Sequence, residues 1–178
     1  MLNNDLKNTF LAILGSSLIG LVLSTGAYAA NPEPVVVGVE FVAPLTITET
    51  ANLAFGMVDI NMAALDTIVI APGGGVTDSA GRLIGAFVRT AATFTTRAAA
   101  NKSITIQVTN INAGTYYTLI NWTCDYDGGT IGDCGAGISE TSAAGAAIVV
   151  RVGVTLSGLG GATEAADDGS FDLTITYD

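Results

Sequence analysis

The sequence predicts an all-β chain, an immunoglobulin-like β-sandwich of about eight to ten short strands with one disulfide. Three observations predict it. Short runs rich in β-branched and aromatic residues recur along the chain, many alternating apolar and polar. Clusters of Gly, Asn, Asp and Ala separate them. No stretch carries a sustained helical period: the Ala-rich pieces "TSAAGAA" and "RAAANK" are too short and too broken to hold a helix.

The first residues read as an address rather than as fold. Lys7 precedes an apolar run, "FLAILGSSLIGLVL", which ends in "STGAYAA". Ala27, Tyr28 and Ala29 fit the small-x-small pattern of a cleavage site, so residues 1–29 are expected to be a signal peptide. Residues 30–178 are expected to form a single β-sandwich domain, with 30–34 as a short lead. No Cys follows the apolar run and no second long run exists, so no lipid anchor or membrane span is expected after cleavage. The expected location is periplasm, cell surface or extracellular medium.

The strands follow in order. "VVVGVEFVA" (35–43) alternates Val35, Val37, Val39 and Phe41 with Val36, Gly38, Glu40 and Val42. "PLTITETANLAFG" (44–56) places Leu45, Ile47, Leu53 and Phe55 on a two-residue period, broken by a polar turn expected at 49–52. "TIVIA" (67–71) closes on "PGGG", a turn cluster. Strands are expected at 82–88, 92–95, 103–109 and 115–122. "IVVRVGVTL" (148–156) sets Val150, Val152, Val154 and Leu156 on one face. "SFDLTITY" (170–177) does the same with Phe171, Leu173, Ile175 and Tyr177.

Composition narrows the chemistry. Sixteen acids against six bases give a net charge of −10, so nothing neutralises nucleic-acid phosphate and no nucleic-acid partner is expected. Histidine is absent, which removes the usual general base. Lys102, in the polar turn "NKS", is the one lysine beyond the leader. No nucleophile motif accompanies it, and the chain is not expected to be an enzyme.

Cys124 and Cys134 form an even pair in an exported chain and read as a disulfide. Between and beside them, "DYDGGTIGD" carries Asp125, Asp127 and Asp133 on a glycine-rich loop. Calcium prefers several hard oxygen ligands on such a loop. These three are the candidate metal ligands, calcium is the one cofactor considered, and a solvated acidic hairpin is the plain alternative. Tyr116, Tyr117, Trp122 and Tyr126 form either a sugar-binding aromatic patch or, more simply, core and loop anchors.

Three stretches carry a family resemblance. The "Leu-x-Phe-Gly" element at Leu53, Phe55 and Gly56, "AATFTTRAAANKSITIQV" (91–108) and "VGVTLSGLGG…DDGSFDLTITYD" (152–178) resemble an uncharacterised bacterial secreted β-sandwich family known only as a domain of unknown function. More distantly, they resemble chaperone–usher pilin subunits and spore-coat-U-like proteins. That resemblance implies a sandwich lacking one strand, completed by a neighbour's N-terminal segment. Its strand-addition residues here are Val35, Val37, Val39 and Phe41 on the donor, and Phe171, Leu173, Ile175 and Tyr177 on the acceptor. It also implies partners: the chain itself, other surface subunits and a periplasmic chaperone. The same 35–43 segment is alternatively the domain's own first strand. Two functions follow: a structural or adhesive surface protein of fimbrial type, or a binding module using the Cys124–Cys134 acidic loop.

Overall fold

The computed structural model describes residues 38–129, 131–143 and 146–178. The chain divides into two units, Met1–Glu40 and Phe41–Asp178. Only residues 38–40 of the first are described; they form no strand, and Val39 is exposed. The expected signal peptide, and Val35 and Val37, lie outside the described residues.

The second unit is all-β, and every ladder among its described residues is antiparallel. Its strands are β1 (Thr46–Ala51), β2 (Met57–Val58), β3 (Thr67–Ile70), β4 (Val76–Asp78), β5 (Leu83–Ile84) and β6 (Ala92–Arg97). They continue as β7 (Ser103–Asn112), β8 (Tyr117–Tyr126), β9 (Ile131–Asp133), β10 (Ile138–Thr141), β11 (Ile148–Gly158) and β12 (Ser170–Tyr177).

Strand β11 is the axis of the larger sheet. On one flank it pairs with β8. On the other, β6 lies against Ile148 to Val152 and β3 against Val154 to Ser157, end to end. Strands β1, β4 and β9 extend that sheet from β6, β3 and β8. The second sheet runs β10-β7-β12. Strands β2 and β5 form a separate ribbon, from which Val58 and Leu83 pack on Met62, Ile68 and Leu156.

The alternating patterns explain the layers. Ile104, Ile106 and Val108 of β7 and Ile175 of β12 face Val150, Val152 and Val154 of β11 and Phe94 of β6 in one core. Each aliphatic side chain fully buried there contributes roughly 1.5–3 kcal/mol. Phe171 joins the sheets: its ring lies 4.8 Å from Trp122 and 6.4 Å, edge-on, from Phe94.

Bulges reset the alternation where it would fail. Between Gly153 and Thr155, β11 advances two residues while β8 advances three, from Thr123 to Ile120. Asn121 takes the left-handed backbone there, φ 52°. The extra residue keeps both Leu119 and Trp122 against the core. Asn110, φ 49°, does the same for β7 opposite β12.

Three expectations change. The described part of the 35–43 segment forms no ladder, so residues 38–43 are not the domain's first strand. The polar turn expected at 49–52 is instead strand through Ala51, with a bulge between Glu49 and Ala51 where Thr50 Oγ1 donates to the Thr93 carbonyl. The apolar runs at 53–58 and 82–88 form strands only at Met57–Val58 and Leu83–Ile84, with Ala54 making one isolated bridge to Thr90.

Candidate strand-addition site and the disulfide loop

The two sides of the sandwich differ. On one side β9 leads through a tight turn into β10, crossing between sheets. There the disulfide Cys124–Cys134, with both residues fully buried and Cα atoms 5.6 Å apart, ties β8 to the turn. Val108 N–H donates to the Cys134 carbonyl at 2.8 Å, binding the same turn to β7. That side is stitched shut.

The other side is bounded by β1 and β12. Among the described residues β1 pairs only with β6, and β12 only with β7. Each therefore has one row of backbone donors and acceptors with no strand partner among the described residues. The two strands run in opposite directions across this seam. At one end, the Tyr177 hydroxyl donates to the Ala43 carbonyl at 2.9 Å, just ahead of β1, and accepts from Ala99 N–H at 2.6 Å, just after β6. At the other end Phe171 meets Phe94.

The four acceptor residues lie on one face of β12, toward the core. Ile175 is buried, whereas Phe171, Leu173 and Tyr177 are half-buried. Across the seam Leu45 is half-buried and Ile47 exposed at 36%. Just ahead of Ala43, Val42 is 48%, Phe41 94% and Val39 68% exposed. Residues 38–43 thus lie outside every ladder, while among the described residues nothing pairs with the outer edge of apolar-faced β12.

The C-terminal end of β12 is fastened to β7. Asp178 N–H donates to the Ser103 carbonyl at 3.1 Å, and its carboxylate accepts from Ser103 Oγ and Thr105 Oγ1. Those hydroxyls hold the Asp178 carboxyl below its ordinary range.

The acidic loop is built for turning. Asp127 (φ 56°) and Gly128 (φ 72°) occupy the left-handed pair of a tight hairpin between β8 and β9. Asp125 is buried and pairs with Arg151 Nη1 at 3.1 Å, directly across the ladder. Asp133 Oδ1 accepts from Gly135 N–H at 2.9 Å and Ala136 N–H at 3.3 Å. The Asp125 and Asp133 carboxylates thus have separate tasks, and among the described residues no group of three acidic or Cys side chains is placed to hold a metal. Trp122 and Tyr126 are core residues, and burial raises the Tyr126 hydroxyl pKa.

Sequence reasoning missed Asp167. It accepts from Thr115 N–H and Tyr116 N–H, both at 2.9 Å, and so ties the loop before β12 to the start of β8. These bonds lower its pKa. Only the acid-rich "EAADDG" ahead of β12 marked the place.

No family model, no curated protein and no solved structure matches this chain. The resemblance to secreted β-sandwich and pilin-like families therefore rests on its residues alone.

Proposed function

We propose that this chain is an exported structural or adhesive surface protein, a fimbrial-type subunit that assembles by β-strand addition. The observation that carries this reading is the edge of β12 that no strand pairs with among the described residues. Its face holds Phe171, Leu173 and Tyr177 only half-buried, and the exposed Val39–Phe41 stretch belongs to no ladder. An incoming strand would satisfy the backbone row and complete the burial of those side chains. The donor is the 35–42 segment of another copy or a related subunit, with Val35, Val37, Val39 and Phe41 facing inward. A periplasmic chaperone would occupy the same edge beforehand. The disulfide suits an oxidising compartment.

The test is size-exclusion chromatography with light scattering and negative-stain microscopy on the chain exported to an oxidising compartment. A variant lacking residues 31–42 is run beside it. Filaments or polymers from the first and monomers from the second support strand addition. A folded monomer in both rejects it.

A further inference from the structure

Tyr177 sits at a junction. Its ring belongs to the apolar face of β12, and its hydroxyl leaves that face to bridge two loops. It accepts from Ala99 N–H at 2.6 Å and donates to the Ala43 carbonyl at 2.9 Å. Ala43 precedes Pro44, which restricts it to extended backbone. Leu45 then packs on the core. Three consecutive residues are thus fixed by a hydrogen bond, a ring and a hydrophobic contact. One residue earlier the side chains turn outward: Val42 and Phe41 are exposed.

We propose that Tyr177 is a positioning residue, a latch that fixes where the N-terminal segment leaves the domain. The latch plants the root of that segment at the C-terminal end of β12. From that root, the chain's own segment could reach its own β12 edge only by running parallel to it. Holding the root at the mouth of the seam reserves an antiparallel place beside β12 for a strand from outside. A phenylalanine would pack as well here, and only the hydroxyl makes the bridge. The consequence for assembly rests on the strand-addition reading; the latch itself does not.

The experiment uses the full exported chain and Tyr177→Phe, with Leu173→Ala as the comparison that loosens β12 without touching the root. Hydrogen exchange reads the bridge: Ala99 N–H loses its acceptor in Tyr177→Phe and should exchange about fivefold faster or more. Chymotrypsin reads the root. Cleavage after Phe41 requires the following residues to enter the protease extended, so Tyr177→Phe should be cut several-fold faster. Leu173→Ala should lower the melting temperature yet leave that cleavage rate near wild type. Unchanged Ala99 exchange and unchanged cleavage in Tyr177→Phe would overturn the latch, as would equal acceleration by Leu173→Ala. Both readouts are taken on monomer. A wild-type chain that never polymerises therefore rejects strand addition while the latch is still decided.

Discussion

Gly153 gives the sharpest prediction about the fold. It lies in β11 between the residues that pair with β6 and those that pair with β3. A Cβ there would stand 2.7 Å from both N and Cδ of Pro72, and closer still to the Ile70 carbonyl oxygen. These are backbone and ring atoms, with no flexible tip to swing away. Intrinsic strand preference favours alanine over glycine by about 0.5–1 kcal/mol. Forcing a methyl into a packed site costs about 1–3 kcal/mol, and fixed neighbours place this case at the upper end. Gly153→Ala should therefore destabilise by about 2 kcal/mol, or roughly 4–8 °C in melting temperature. Urea unfolding followed by Trp122 fluorescence measures it, since that side chain is buried beside Phe171. The midpoint should fall with the slope unchanged. Gly73→Ala, where an added Cβ meets nothing within 4 Å, is the control. A Gly153→Ala protein as stable as wild type would refute the close-approach reasoning.

Other outcomes follow from the same contacts. Replacing Cys124 and Cys134 by alanine should cost about 2–3 kcal/mol by loop-closure entropy, read by urea unfolding; a loss under 1 kcal/mol would mean the β8–β9 pairing already closes that loop. Asp167 has its pKa lowered in the folded state, so its contribution is present above the unfolded value of 3.8 and fades as pH falls through the folded one. Asp167→Asn should then melt below wild type at pH 7 and match it at pH 2; a constant gap across that range would reject the assignment. Millimolar calcium should leave the melting temperature unchanged, because Asp125 is committed to Arg151 and Asp133 to backbone N–H groups. A clear upward shift, abolished by Asp125→Asn with Asp127→Asn, would restore the acidic loop as a metal site.

The long strands were legible in the sequence because their alternation is long. Val150, Val152 and Val154, and Ile104 with Ile106, were on the expected faces since burial of one face fixes register. Strands β4, β9 and β10 span only three or four residues, too few for a two-residue period to stand out. Strand β8 was expected to stop at Trp122 but runs to Tyr126, because the Asn121 bulge breaks the parity that alternation relies on. The disulfide pair was legible from cysteine count. The partners of Asp125, Asp133 and Asp167 were not: a carboxylate that accepts backbone N–H bonds or faces an arginine across a ladder looks the same in sequence as a metal ligand. The β12 edge itself leaves no local trace either, since β12 carries an ordinary strand pattern, and whether an edge is paired depends on residues distant in sequence.

Strand β11 touches β3, β6 and β8, all of which precede it in the chain. None of the three has another partner that spans the sheet, so the larger sheet has no centre until residues 148–158 are present. The second sheet waits as well, since β7 is completed by β12 near the end. Such distant pairings make folding slow. Through most of synthesis the chain can form only separate pairs, such as β1 with β6, β3 with β4, β8 with β9 and β7 with β10, with no central strand to join them. Their exposed edges are open to wrong partners. Correct folding therefore depends on keeping the strands that precede β11 from mispairing until their shared central strand has been made.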